Sequence, residues 1–257
     1  MNRIDQLFAR KQERVLNIYF TAGFPKLNST LSVLQAVQDG GADIAEIGMP
    51  YSDPIADGET IQQSNNIALN NGMSLAKLFE QLAPMRQNIT IPVILMGYIN
   101  PVLQFGVEAF CKKCHEVGVD GLILPDLPMQ EYLDEYKETF DKYGLHNIFL
   151  ITPQTIPDRV QHIDKNSAGF IYMVSSASIT GSTSGITPQM EDYFNRINAM
   201  GLKNPRLIGF GISDSETFTT ASKHGQGAII GSAFIRAIEN QEDPEASAKQ
   251  FIRTVLS

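Results

Sequence analysis

The sequence predicts an α/β fold: a parallel eight-stranded (β/α)8 TIM barrel with an extra N-terminal helix, residues 1–257 forming a single domain. Three observations carry this prediction. Short apolar runs alternate with amphipathic segments along the whole chain, the pattern of repeated strand–helix units. Several of the runs are continuously apolar, as strands buried on both faces must be. The length of 257 residues, without a repeat of fixed period, a low-complexity tail or a linker, suits one such barrel. A doubly wound open sheet is the competing arrangement.

The first segment, Met1–Arg14, mixes charged with apolar residues and reads as a short amphipathic helix; it has no uninterrupted apolar stretch of the secretory-signal kind. The strands follow at Val15–Thr21, Asp43–Ile47, Pro92–Met96, Gly121–Leu124, Asn147–Ile151, Gly169–Val174, Arg206–Gly209 and Gly227–Ile230. Helices are expected between them at Thr30–Gln38, Leu75–Gln87, Val107–Val117, Gln130–Lys142, Pro157–Asp164, Pro188–Met200 and Ser215–Lys223, with Ser232–Glu239 and Pro244–Val255 finishing the chain. Cap chemistry supports them. Ser213-Asp-Ser-Glu216 carries N-cap residues and early acids, Pro157 and Pro188 suit first turns, and Gly118, Gly144 and Gly201 stand where C-terminal caps belong.

A net charge of −8 argues against a nucleic-acid partner. The uncharged stretch Gln87–Val107 is long enough to suggest a membrane span, but Pro92, Gly97, Asn100 and Pro101 break it, and it reads as strand plus loop. A cytoplasmic protein is expected. Cys111, Cys114 and His115 spell the haem-attachment pattern C-x-x-C-H, yet they fall inside a helical pattern, and two cysteines do not complete a zinc site. Reduced helix cysteines are the preferred reading.

The stretch that organises the rest is Ile44–Gly58. Strand period two puts Ile44, Glu46 and Gly48 on one face and Ala45 and Ile47 on the other. A charged residue in a buried strand asks for a reason. Poor solvation at a barrel mouth raises a carboxyl pKa and lets the group donate as well as accept protons. Asp57, in the loop that follows, is expected to be better solvated, so the two acids could take different roles. The competing reading pairs Glu46 with an arginine or lysine and confines it to stabilising the rim. Tyr172 is a phenol near the mouth or, equally, a core tyrosine.

Two loops are long: Gly48–Glu59 and the uncharged, Ser/Thr/Gly-rich Ser175–Thr187, read as a lid or else a plain connector. Glycines end the last strands, at Gly209-Phe-Gly211 and Gly231-Ser232, where barrels hold phosphate with strand-end loops and a helix N-terminus; tight turns alone are the other reading. No lysine falls at the inward end of an apolar strand, and the four histidines are scattered, which disfavours Schiff-base and metal chemistry. The residues thus point to metal-free, cofactor-free acid/base chemistry on a small phosphorylated molecule.

Taken in order, Tyr19-Phe-Thr-Ala-Gly23, Glu46-Ile-Gly-Met-Pro-Tyr-Ser-Asp-Pro-Ile-Ala-Asp-Gly58, Met96-Gly-Tyr-Ile-Asn-Pro101, Gly121-Leu-Ile-Leu-Pro-Asp126, Ile179-Thr-Gly181, Gly209-Phe-Gly-Ile-Ser213 and Gly231-Ser-Ala233 resemble the successive blocks of the tryptophan synthase alpha subunit family. The resemblance implies a lyase that splits indole-3-glycerol phosphate into indole and glyceraldehyde 3-phosphate. It implies Glu46 as acid/base carboxylate, Asp57 facing the indole N–H and Tyr172 nearby as the catalytic group, with Thr180, Gly181, Gly211, Gly231 and Ser232 around the phosphate. Tyr19, Ile61, Met96 and Tyr98 could line the aromatic pocket, although packing explains them as well. It also implies a pyridoxal-phosphate-bearing beta subunit as partner, in an alpha2beta2 tetramer, and no cofactor in this chain. A non-catalytic phosphate-binding subunit that activates the partner is the alternative, and a phosphosugar isomerase a third. Glu59, Tyr51, Ser176 and Ser178 depart from residues frequent in the family, so loop behaviour and partner coupling are where this chain would differ.

Overall fold

The structure, a computed structural model, describes residues 1–54, 57–174, 187–209 and 211–257. Its strands are β1 (Val15–Thr21), β2 (Ile44–Gly48), β3 (Val93–Met96), β4 (Gly121–Ile123), β5 (His146–Asn147), β6 (Leu150–Ile151), β7 (Ile171–Val174), β8 (Arg206–Gly209) and β9 (Gly227–Ile230). They form one parallel sheet ordered β5-β4-β3-β2-β1-β9-β8-β7-β6. The two edge strands β5 and β6 are the ends of one extended hexapeptide. Between them Ile148 N donates to Leu122 O at 2.9 Å, and Phe149 O accepts from Tyr172 N at 3.0 Å. That hexapeptide therefore joins both edges and curls the sheet into the ring expected of alternating strands and helices. The expected fifth strand, Asn147–Ile151, is a ladder interrupted in its middle.

Period two is visible in the burial. Val15, Ile44, Ile94, Ile123, Ile148, Tyr172, Leu207 and Ile229 pack together inside the ring. Their neighbours in sequence, among them Leu16, Ala45, Val93 and Leu122, pack outward against the helices. Most strand residues are buried on both faces, which is why the runs are largely apolar.

The N-terminal helix, Arg3–Arg10, closes the floor. Asn2 caps it, accepting from Ile4 N at 2.9 Å, and the Asn2 amide also donates to Asp120 O at 2.7 Å. Ile4, Leu7 and Phe8 join the interior cluster; burying such side chains stabilises the fold by roughly 1.5–3 kcal/mol each as an upper estimate. Asp120 anchors the same end. It is buried and accepts from Arg86 at 2.6 Å, Arg3 at 3.0 Å and Val93 N at 2.9 Å. The mouth at the other end is thereby left as the open one.

Two helices lie where none was expected. Glu59–Asn70 follows the first long loop, and Ile99–Phe105 follows β3. Leu75–Gln87 is a helix only to Leu82 before Pro84 and a 3-10 turn, and Gln130–Lys142 contains a π-helical turn at Tyr132–Tyr136. Gly118, Gly144 and Gly201 all adopt positive φ, as C-terminal caps require. Cys111 and Cys114 are free thiols buried on the helix Val107–Val117. Among the described residues no helix is long and apolar enough to cross a membrane.

Candidate active site

Glu46 sits on β2 with Tyr19 of β1 as its register partner, both on the inward-facing parity of their strands. Only 1% of its surface is exposed. Oε2 accepts a 2.7 Å hydrogen bond from Asn17 Nδ2, while Oε1 has no partner among the described residues. Burial raises the Glu46 pKa to about 8, against the pull of the Asn17 donor and with a further push from Asp57. None of the ion pairs among the described residues involves Glu46, which removes the reading of a rim salt bridge.

Asp57 was expected to be the better solvated of the two acids, and it is, but only slightly. It is 8% exposed, and burial raises its pKa to about 6 although the Tyr98 hydroxyl donates to Oδ2 at 3.3 Å. A turn sequence does not reveal that cover. The carboxyl is roofed by Tyr98, which caps the helix Ile99–Phe105 and stacks at 5.2 Å on Tyr51. The expected difference between the two acids is nonetheless present. Glu46 is mainly protonated at neutral pH and Asp57 mainly ionised.

Tyr19 and Tyr172 belong to the same group of charges. Burial lifts both phenols far above their ordinary range. Asp57 and Glu46 add to this at Tyr19, and Glu46 and Asp57 at Tyr172. Both therefore stay protonated and serve as donors. The strand-end glycines make room for them. A Cβ on Gly48 would lie 2.2 Å from the Tyr19 hydroxyl, and one on Gly209 would lie 2.3 Å from that of Tyr172. At Gly231 a Cβ would make only ordinary contacts, 3.4 Å from Tyr19 and 3.7 Å from Ile61.

Ile61 reaches this place from the first turn of the helix Glu59–Asn70. Met96, half-buried at the end of β3, touches the interior cluster. Gly231 and Ser232 start the helix Ser232–Ile238, and Gly211 has φ +76° with open space where a side chain would stand. Thr180 and Gly181, with the expected lid from 175 to 186, lie outside the described residues. Sequence reasoning missed Asn17, and it missed that Gly48 and Gly209 admit the two phenols. For Asn17 the signal was available: an amide two positions before Tyr19 on the inward face of an otherwise apolar strand.

Residues 6–256 match the family described as tryptophan synthase alpha chain. The chain belongs to that family. It is 54% identical over 256 residues to the tryptophan synthase alpha chain of Flavobacterium psychrophilum, covering 100% of both, and 55% identical over 252 residues to that of Flavobacterium johnsoniae, covering 98% of both. Among solved structures it is similar to tryptophan synthase subunit alpha from Legionella pneumophila, with a TM-score of 0.89, 32% identity and coverage of 99% of this chain and 97% of that one. It is also similar to a chain of tryptophan synthase from M. tuberculosis in its aminoacrylate-bound form, with a TM-score of 0.86, 25% identity and coverage of 99% and 98%. These neighbours settle the competition between a barrel and an open sheet in favour of the barrel.

Proposed function

We propose that this chain cleaves indole-3-glycerol phosphate to indole and glyceraldehyde 3-phosphate, with Glu46 and Asp57 as its acid/base pair. The observation that carries the reading is two buried carboxylates of unequal acidity at one barrel mouth, with no cation paired to either among the described residues. Membership of the tryptophan synthase alpha chain family makes the chain a lyase of tryptophan biosynthesis.

The chemistry follows from those acidities. Neutral Glu46 gives its proton to indole C3, and positive charge develops at the ring nitrogen. Ionised Asp57 stabilises that charge. The Glu46 carboxylate then takes the proton of the neighbouring glycerol hydroxyl. The carbon–carbon bond breaks, its electron pair returns to the indole ring, and the oxygen becomes the aldehyde of glyceraldehyde 3-phosphate. Glu46 ends protonated, as it began. The Tyr172 phenol donates to the reacting groups, while Tyr19, Ile61, Met96 and Tyr98 line the aromatic pocket. Thr180, Gly181, Gly211, Gly231 and Ser232 hold the phosphate through backbone and hydroxyl donors.

The family carries no cofactor of its own; pyridoxal phosphate belongs to the beta subunit. The M. tuberculosis neighbour is a tryptophan synthase structure, which supports a beta subunit as the partner of this cytoplasmic chain, in an alpha2beta2 tetramer. The test is direct: supply indole-3-glycerol phosphate to the folded chain, alone and with a beta subunit, and assay indole. Its release supports the reading, and silence in both mixtures refutes it.

A further inference from the structure

We propose that Asn17 is the positioning residue of Glu46: its amide holds one carboxyl oxygen and so dictates that the other carries the transferred proton. This rests on the assignment of Glu46 above.

Asn17 is fully buried on β1, with Ile44 and Ile229 as its register partners. It stands among apolar side chains, where an amide needs both ends satisfied. Only one end is. Nδ2 donates to Glu46 Oε2 at 2.7 Å, and Oδ1 has no partner among the described residues. A valine or leucine would fill such a position without an orphaned carbonyl, so stability alone does not account for the amide. Among the described residues, its one side-chain hydrogen bond is to the acid.

That contact has a chemical consequence. An N–H donor meets the carbonyl oxygen of a neutral carboxyl group better than its hydroxyl oxygen, so Oε2 keeps the carbonyl role when Glu46 is protonated. The proton of neutral Glu46 then sits on Oε1, the oxygen with no partner among the described residues. The bond also fixes the plane of the carboxyl group and favours its ionised form. The other groups acting on or beside Glu46 are Asp57, Tyr19 and Tyr172, none of them a cation. Asn17 is thus the donor that keeps this acid from becoming too weak to give its proton up.

The experiment is Asn17→Leu in the full chain, with kcat and KM for indole-3-glycerol phosphate followed against pH. The carboxyl band of Glu46 is titrated in parallel by difference infrared spectroscopy, Glu46→Gln serving to isolate it. The expected result is a kcat lower by about 10- to 100-fold with KM within about twofold, and an alkaline limb and carboxyl titration both moved up by about one pH unit. A folded variant with wild-type kcat and an unmoved titration overturns the proposal. Should Asn17→Leu fail to fold, the isosteric Asn17→Asp is titrated instead: Glu46 moves up further beside a second acid, and an unchanged titration again overturns it. A wild type without lyase turnover refutes the function rather than this contact. The infrared titration alone then decides, upward movement supporting Asn17 and none refuting it.

Discussion

The Tyr98 hydroxyl donates to Asp57 Oδ2 at 3.3 Å, and the two residues come from loops that follow different strands. The bond is long, so its contribution is modest, but it acts on the carboxylate that must be ionised. Tyr98→Phe keeps the ring on Tyr51 and removes the donor. The Asp57 pKa then rises from about 6, and the acid limb of kcat/KM moves to higher pH. Rate measurements across pH 5–8 should show the limb displaced by about half a unit and activity at pH 6 down by about 2-fold, while the alkaline limb stays in place.

Glu46 carries a stability cost that depends on pH. Its folded pKa of about 8 lies above the ordinary glutamate value of 4.5. Between those values the native state holds a proton that the unfolded chain has released, so stability falls as pH rises through the window. Below about pH 4.5 both states are protonated and the cost vanishes. Glu46→Gln, neutral and of the same shape, should match the wild type in denaturant melts at pH 4.5 and exceed it by a few kcal/mol at pH 9. A wild type that remained the more stable at pH 9 would mean that the carboxylate has found compensation the geometry does not contain.

Gly48 exists to admit a phenol. Adding a Cβ there forces the Tyr19 ring aside, because the clash of 2.2 Å is with its hydroxyl and the next contact of 2.7 Å with the ring itself. Gly48→Ala should lower stability by about 1–3 kcal/mol and depress kcat/KM more than Tyr19→Phe does. Equal effects of the two substitutions would show that ring position is unimportant.

The barrel floor separates stability from chemistry. Asp120→Ala leaves the Arg86 guanidinium half-enclosed beside Gly118 O and Ile91 O without its carboxylate. The loss should be about 2–4 kcal/mol, discounted because Arg3 and part of Arg86 reach solvent, or about 5–12 °C in Tm. KM for the substrate should not change. A raised KM with an unaltered melt would place Asp120 in the site instead.

Much of this was legible in the residues. Buried parallel strands announce themselves, and β1, β8 and β9 begin and end where their apolar runs do. Glu46 stood out because a charge in such a run is costly. What escaped reading was created by tertiary contact. Glu59–Asn70 has too many Gln and Asn residues to show a helical stripe, yet it brings Ile61 to the site. The cover over Asp57 comes from Tyr98, 41 residues away, and the donor to Glu46 from Asn17, 29 residues away. The interruption at 148–149 reflects ring closure, which no local pattern encodes.

The most direct test of the acid pair is kcat/KM for indole-3-glycerol phosphate against pH, in the wild type and in Glu46→Gln. The wild type should give a bell with limbs near pH 6 and pH 8, from Asp57 and Glu46 respectively. Folded Glu46→Gln should lose about 10²- to 10⁴-fold at pH 7. A Glu46→Gln protein that releases indole at the wild-type rate would contradict the account.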